Sequence, residues 1–415
     1  MKIAIIGSGI SGLTAGYLLN KNHDISIYEA NDYIGGHTHT HHIGLDDNNY
    51  AVDTGFIVYN ERTYPNFIKL LDQLGVERQL STMGFSVKSV NEDYEYSGES
   101  LNTLFAKRSN IFRVGFLRMI YEMYKFGKEA DASGAGLGSS ITLGQYLKSK
   151  NYSDEFIHYF ITPMGAAIWS TPANKVLDMP AYFFIKFFYN HGMLEIVNRP
   201  KWWVIKNGSS QYIKKIIKGF ENKIYLSSAI VKVSRSKEGV EIFLSNHDET
   251  LKFDAVIFAT HSDQALKLLD RPTELESEIL QAFPYQKNDV MLHTDSSVLP
   301  TRKLAWASWN YQLDRDPSAP VVLTYNMNIL QSIKANETFC VTLNDFNSVD
   351  QNKVIKKITY HHPLFTVDSI KAQKRKHEIS GINNTYYCGA YWRNGFHEDG
   401  VVSALDVCEQ FGEVL

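Results

Sequence analysis

The chain has little cysteine. Cys340, Cys388 and Cys408 are three in 415 residues, odd in number and far apart. Their spacing forms neither a zinc pattern nor a disulfide framework, so a reducing compartment is expected. Long apolar runs are missing too: none approaches the ~20 residues that a membrane-spanning helix needs. The first apolar run, Ile3 to Ile6, is too short for a secretory core segment. Charge of one sign is not in excess, and a net charge of −3 gives no reason to expect a nucleic acid partner. There is no internal repeat and no low-complexity tract. What remains is a globular composition, 44% hydrophobic and 21% charged, in a length that predicts two domains rather than one core. Aromatic residues are plentiful at 13%, which suits a large apolar cavity and an aromatic-rich core equally.

The most informative stretch is Met1 to Ala30. Lys2 to Ile6 reads as a buried parallel strand, and Leu13 to Leu19 as a helix. Between them lie Gly7, Gly9 and Gly12 in a G-x-G-x-x-G pattern, with Gly16 four residues on. Gly7 permits a tight turn, Gly9 leaves the backbone open to a pyrophosphate, and Gly12 and Gly16 let the helix pack close to a sheet. The N–H groups at the helix start favour an anion. Ile25 to Tyr28 reads as a second strand, and Glu29 follows it, seventeen residues after Gly12, where a carboxylate can take the ribose hydroxyls of a dinucleotide. Only one such glycine fingerprint is present, which argues against a second, tightly bound nicotinamide nucleotide.

Further along, Gly35 and Gly36 form a loop able to wrap a dinucleotide. His37, His39, His41 and His42 follow in an HTHTHH tract, and alternation on a strand places the first three on one face. A metal site there would lack neighbouring Cys or acid ligands, and strand histidines more often end as polar edge residues. Tyr64 to Leu74 reads as an amphipathic helix. Leu101 to Ala130 is helical in period and basic, with Lys107, Arg108, Arg113, Arg118, Lys125 and Lys128 among apolar residues. That is the composition of a membrane-surface helix or of a core helix with one solvated face. Gly134 to Ser140 reads as a flexible link, and Pro163 to Ser170 as a tight turn. Tyr182 to Tyr189, with Trp202 and Trp203, walls an apolar channel or fills the core. Ile224–Val233, Val240–Leu244, Asp254–Thr260, Asp289–Thr294, Ala305–Asn310, Val321–Met327, Phe339–Leu343 and Tyr386–Cys388 read as strands, and Val401 to Phe411 as the last helix.

Taken together, the G-S-G-I-S-G turn with Glu29, the Gly35–Gly36 pair, Asn207-Gly208-Ser209, the strand to Ala259-Thr260, and Gly389 with the Gly400-Val401 helix resemble the FAD-dependent amine oxidase and phytoene desaturase superfamily. The segments DTGFIVYNERTYPN (53–66), PMGAAIWSTP (163–172), ATHSDQAL (259–266), ASWNY (307–311) and CGAYWRNGFHEDG (388–400) are similar to bacterial NAD/FAD-binding oxidoreductases associated with cyclopropane-fatty-acid synthase-like methyltransferases. The resemblance spans the chain. It implies an α/β fold in which a Rossmann-like FAD-binding domain of the glutathione-reductase type (1–84, 205–268 and 378–415) is interleaved with an α+β substrate domain (85–204 and 269–377).

The resemblance also implies site residues. Gly7, Gly9, Ser11 and Gly12 would hold the FAD pyrophosphate, Glu29 the ribose, and Gly35, Gly36 and His37 the run of phosphates. Relatives commonly carry Arg at the position of His37. Ile230 would contact adenine through its backbone, with Thr54, Gly55 and Thr260 along the flavin. Gly389, Asp399, Gly400 and Val401 would bring the last helix to the flavin. An acid that relatives place after the final strand's glycine is replaced here by Ala390, with Glu398 or Asp399 as substitutes. The lysine of amine oxidases is replaced by His293, which with Tyr391 and Trp392 makes the catalytic set; Tyr59 and Trp309 are further candidates to face the ring. The function expected is oxidation or desaturation of an unsaturated or methyl-modified fatty acyl chain, free or phospholipid-bound, by hydride transfer to flavin. The protein would be cytoplasmic, touch the membrane peripherally, and have a methyltransferase of that kind as a partner. Two rivals are an amine oxidase producing hydrogen peroxide, and a flavoprotein without net redox chemistry, acting as an isomerase or a methyltransferase partner.

Overall fold

The structure is a computed structural model that describes residues 1–89, 91–133, 141–193, 199–245, 250–313 and 316–415, and the side chains of all of these except 130–133. The Gly134–Ser140 link lies outside the described residues. Lys2–Ile6 is the central strand of a five-stranded parallel sheet, ordered Ile224–Tyr225, Asp24–Tyr28, Lys2–Ile6, Ala255–Phe258 and Thr385–Tyr387. Its near-continuous apolar strands are buried because helices cover it. Ile10–Leu19 and His397–Glu409 lie on it, and Ile3, Ile5, Leu18, Ile257, Ala404 and Val407 share one apolar cluster. A three-stranded antiparallel sheet, Ile230–Ser236, Gly239–Leu244 and Thr250–Phe253, leads into its fourth strand.

A second, seven-stranded sheet runs in the order Val354–Pro363, Tyr285–His293, Cys340–Leu343, Leu323–Asn326, Trp309–Gln312, Phe85–Ser89 and Tyr94–Ser97. Its pairings are antiparallel except for Trp309–Gln312 against Phe85–Ser89. A helical layer built on Val114–Ser133, Leu143–Ser149, Thr162–Trp169 and Ala181–Asn190 packs beside it in one large apolar cluster. None of the described helices is long and apolar enough to cross a membrane.

Several local expectations are corrected. Leu101 to Ala130 is not one helix. It divides into Leu101–Leu104, a 3-10 turn at Arg108–Phe112, and Val114–Ser133, with Arg113 extended between the last two. Buried Asn110 fixes the turn by donating to the Glu95 carbonyl at 3.3 Å. Ile224 to Val233 is not one strand, because Ser227 takes a left-handed φ of 49°. The break sends Ile224–Tyr225 into the parallel sheet, while Ser227 and Ser228 donate to the Asn31 and Glu29 carbonyls at 2.9 and 2.8 Å. Pro163 to Ser170 is helical rather than a tight turn. Pro163 follows directly on the π-helical turn Ile157–Ile161, which runs into Thr162–Trp169 without a break, and Ser170 closes that helix at a left-handed φ of 49°. The strand expected at Asp289–Thr294 begins earlier and runs Tyr285–His293. The strand Val354–Pro363 escaped the sequence because its alternation is polar on both faces for most of its length.

The crowding around Gly12 sets a test. A Cβ there would lie 2.0 Å from the Gly7 carbonyl oxygen, so the helix could not start where it does. Gly12→Ala is expected to destabilise the fold by about 1–3 kcal/mol, as overpacking does, read as a lowered thermal midpoint.

Candidate functional site

A single long cavity of about 940 Å³ joins the two sheets. One end is the glycine turn. Leu13 N–H bonds to the Gly9 carbonyl, so the earlier N–H groups of Ile10–Leu19 have no partner within the helix and face the groove. Gly7, Gly9 and Ser11 line this end, with Glu29, Gly35, Gly36 and Ile230. A Cβ on Gly9 would meet nothing within 4 Å, so the backbone there is open to a ligand. Both oxygens of Glu29 are engaged: Oε2 accepts from Ser8 N and Oγ at 2.9 and 2.7 Å, and Oε1 from Asn31 N and Nδ2 at 2.9 and 2.8 Å. These bonds hold the carboxylate at the wall where a ribose would lie. A ribose hydroxyl must share an oxygen with them or displace one.

The middle of the cavity is walled by His37, Thr54, Gly55, Thr260, His261, Tyr285, Tyr360, His361, His362, Gly389, Tyr391 and His397. The His37 ring centroid lies 5.3 Å from that of His362, 6.3 Å from His261 and 4.9 Å from Tyr360. His37 Nε2 and the Tyr391 hydroxyl are buried without a protein partner. Burial holds these imidazoles neutral: His37 and His261 are pushed down to about 4 and His362 to about 3, each helped by a neighbouring histidine. His397 is pushed well down by the same desolvation. Its Nε2 lies 2.9 Å from Thr38 Oγ1, and its ring stacks 3.5 Å from Phe56.

His362 has a fixed tautomer. Asp289 N–H donates to Asn344 Oδ1 at 2.9 Å, which turns Asn344 Nδ2 toward Asn288 Oδ1 at 2.8 Å and the Val321 carbonyl at 2.9 Å. Asn288 Nδ2 is left to donate to His362 Nδ1 at 3.0 Å. The proton of neutral His362 therefore sits on Nε2, a donor on a ring that lines the cavity. His191 has the opposite tautomer. Its Nδ1 donates to the Phe187 carbonyl at 2.9 Å, so its Nε2 keeps a lone pair, and burial pushes it down to about 4.

Apart from the histidines the cavity has an apolar chamber wall of Met83, Ile168, Trp169, Phe187, Met193, Trp309, Tyr325, Leu330, Leu343 and Phe365. His191 and Trp202 are also on its wall. Of the Tyr182 to Tyr189 run, Phe187 lines the chamber while Phe183, Phe184 and Phe188 are core. Glu29 is the only carboxylate on the cavity wall among the described residues, and it stands at the far end.

Six expected site residues are not on that wall. Gly12 is a packing position, as above. Gly400 lets the last helix lean on the first: a Cβ would lie 2.7 Å from Ile10 Cγ2 and 3.0 Å from Ser11 Oγ. Val401 is buried in a cluster with Ile10 and Leu13. Asp399 accepts from Phe396 N at 2.9 Å and caps its own helix; burial pushes its carboxyl up to about 7. Glu398, offered with it as a substitute acid, is engaged by Asn66 and Phe67 at the start of Pro65–Gln73. The backbone at Gly395, Phe396 and His397 reaches the cavity instead. His293 is enclosed in the sheet. Asp295 N–H donates to its Nδ1 at 3.1 Å and its Nε2 lies 2.8 Å from Thr342 Oγ1, so both nitrogens are used away from the cavity. Trp392 packs on Phe283 with ring centroids 5.3 Å apart. Tyr59 is core and Trp309 lines the chamber.

A parallel sheet with its glycine turn and an adjoining apolar chamber define a dinucleotide-binding enzyme of the flavoprotein class. A model of the flavin containing amine oxidoreductase family matches residues 10–318, and the chain belongs to that family. Its cofactor is FAD, and it is an oxidoreductase. A zeta-carotene desaturase of Arabidopsis thaliana is 30% identical over 94 residues, which are 22% of this chain and 16% of that protein. A 4,4'-diapophytoene desaturase of Staphylococcus aureus (strain Newman) is 25% identical over 187 residues, 39% of this chain and 35% of that protein. The matches thus span well under half the length of these relatives. In fold, the chain is similar to a CLA-producing fatty acid isomerase from P. acnes, with a TM-score of 0.70 at 17% identity over 99% of this chain and 98% of that one. It is similar also to cyclohexylamine oxidase from Brevibacterium oxydans IH-35A, with a TM-score of 0.68 at 14% identity over 99% of each chain.

The site fits FAD on its own evidence: open backbone at Gly9, free helix N–H groups, a positioned Glu29, and orphaned polar atoms on His37 and Tyr391. Gly9→Ala, which meets no atom of the protein, is expected to leave the melting of the apoprotein unchanged and weaken FAD binding on the order of tenfold or more in a fluorescence titration. The neutral histidines set a pH dependence. His37, His191, His261 and His362 titrate near 3–4 when folded and near 6.5 when unfolded, so between those values the unfolded chain binds more protons. Asp53 and Asp399, raised to about 6 and about 7, oppose this over the same range but are fewer. Thermal midpoints of the FAD-loaded protein are therefore expected to fall steadily from pH 7 to pH 5; a flat or rising series would contradict neutral burial.

Proposed function

We propose that this FAD-dependent oxidoreductase oxidises an unsaturated or methyl-modified fatty acyl chain, free or phospholipid-bound, by removing a hydride next to its double bond or branch. The observation that carries the reading is the chamber. Its wall is aliphatic and aromatic, its histidines are neutral, and the nearest wall carboxylate is at the nucleotide end, so a cationic amine would find no counter-charge there. The similarity of segments such as ASWNY (307–311) to oxidoreductases associated with cyclopropane-synthase-like methyltransferases supports an acyl chain over a carotenoid.

When bound, FAD supplies the acceptor for the hydride. The chain's own residues do the rest. The glycine turn and the start of Ile10–Leu19 would anchor the cofactor's phosphates, and histidines line the cavity between that polar end and the apolar wall. Aromatic walls at Trp169, Phe187 and Trp309 hold an acyl chain extended and keep water out. Desaturation also releases a proton from the adjacent carbon. His191, with its lone pair on Nε2, is the acceptor we assign. An imidazole pushed down to about 4 is a weak base, but a carbon beside one losing hydride is acidic enough for it. The Nε2–H of His362 offers an oxygen of cofactor or substrate a fixed donor.

The test is an anaerobic visible spectrum of the FAD-loaded protein, before and after addition of unsaturated and methyl-branched fatty acids and phospholipids. Bleaching of the flavin band by a lipid is expected, and His191→Gln should slow it roughly 100-fold, the usual scale for a removed proton acceptor. Bleaching by a small amine alone, with peroxide released in air, would replace this reading with amine oxidation. A shifted double bond without bleaching would make the protein an isomerase.

A further inference from the structure

The outer face of the helical layer is unlike the rest of the surface. Eight of the nineteen exposed large apolar side chains among the described residues fall between positions 101 and 141, about a tenth of the chain. Leu101 is 76% exposed, Phe112 86% and Val114 81%. Along Val114–Ser133 the exposed positions are Val114, Leu117, Arg118, Tyr121, Tyr124 and Lys128, which recur at three- and four-residue intervals and so form one stripe. The opposite face, Phe116, Met119 and Phe126, is core.

Basic residues dominate the charge of this face. From Leu101 to Lys128 the sequence holds six basic residues and one acid, Glu122. Glu122 is buried: it accepts from Ser153 N at 3.1 Å and pairs with Arg118 Nε at 3.2 Å. Lys107 is buried and paired with Asp93, which leaves Arg108, Arg113, Arg118, Lys125 and Lys128 at or near the surface. Acids farther along this helix and on neighbouring elements are partly engaged. Glu129 lies 3.8 Å from Lys125 and accepts from Tyr152, and Glu92 accepts from Tyr159. Glu155 leans over Gly115, and Glu99 stands at the edge beside Gly84.

We infer that this face docks on an anionic lipid bilayer. Phe112, Val114 and Leu117 enter the acyl boundary, Tyr121 and Tyr124 lie at headgroup depth, and the arginines and lysines meet lipid phosphates. A second copy of the chain fits poorly, since a two-fold contact would set this cationic stripe against itself. The inference concerns where the protein sits, and stands or falls apart from the reaction proposed above.

Sedimentation of the FAD-loaded full chain with large unilamellar vesicles tests it. We expect binding to vesicles of phosphatidylcholine with phosphatidylglycerol and little to phosphatidylcholine alone, with loss at ~0.5 M salt as the Debye length shortens. F112S/L117S should lower the bound fraction at least tenfold. R108Q/K128Q should lose the preference for phosphatidylglycerol by roughly tenfold or more, at the usual scale per basic residue. Both pairs are exposed, so flavin absorbance and melting should be unchanged, confirming intact protein. No binding to phosphatidylglycerol vesicles at low salt, or equal binding by both variants, overturns the inference. So does a dimer in light scattering that F112S/L117S dissolves, which would give the face to a second copy.

Discussion

The approach of the last helix to the first turn is the constraint on which the rest of this structure depends. Gly12 sits where a Cβ would lie 2.0 Å from the Gly7 carbonyl oxygen, and Gly400 where one would lie 2.7 Å from Ile10 Cγ2. Both ends of the chain therefore meet at bare backbone. Bare backbone there does two jobs. It lets helices pack against a sheet, and it leaves N–H groups facing a groove with no side chain over them. Other segments then converge on the same place. Ser227 and Ser228 bond back to the Asn31 and Glu29 carbonyls, and His397 reaches Thr38. The groove is made by segments 30 to nearly 400 residues apart, yet its shape is set by a few glycines.

That explains what could be read from the sequence. A glycine needed for a turn or a close approach leaves its mark at its own position, and the strand, turn, helix and acid that surround this motif are neighbours in the chain. Thirteen expected site residues, from Gly7 and Glu29 through Ile230 to Gly389 and Tyr391, line the cavity for this reason. Of the six that do not, Gly12 and Gly400 are positions where a ligand-binding glycine and a packing glycine look the same in sequence, and Val401, Asp399, His293 and Trp392 are held by packing or capping partners. Catalytic histidines leave no such mark. His293 and His362 both sit on strands, and their roles are decided by partners 49 and 74 residues away: Thr342 closes one ring, and Asn288 points the other. Only pairing of Tyr285–His293 with Cys340–Leu343 and Val354–Pro363 brings those partners together, and no local pattern announces it. The HTHTHH tract misled in the same way. His37 left the strand to join His261 and His362 across the cavity, while His39 and His41 stayed with Tyr33 and Thr54.

Neutrality is the property that the site's parts share. Five cavity imidazoles are held neutral by burial, and of these His362 presents a proton and His191 a lone pair. These imidazoles stabilise polar atoms by hydrogen bonds without offering a full charge; the charged groups on the cavity wall include Glu29 at the nucleotide end and Lys267. The pocket suits reactions in which hydride and proton leave a carbon chain nearly together. It suits poorly any substrate whose own charge must be matched on binding. The same burial accounts for an imidazole rather than a permanent cation at His37. A permanent cation beside His261 and His362 would be costly to desolvate unless an anion always accompanied it, whereas an imidazole can lose its charge when none is there.

The helical layer extends that argument to the surface. Phe187 faces the chamber, while Phe184 and Phe188 on the same helix pack in one cluster with Phe116, Met119 and Phe126 of Val114–Ser133. The far side of Val114–Ser133 is the exposed apolar stripe. One stack of two helices thus separates the chamber from the proposed lipid surface, with an apolar core between an apolar inner wall and an outer stripe of apolar and basic residues. A water-soluble substrate would give no reason for a layer of that composition to be apolar outside as well as inside. A substrate that leaves water only for lipid would meet the same chemistry at the membrane, across the layer and in the chamber.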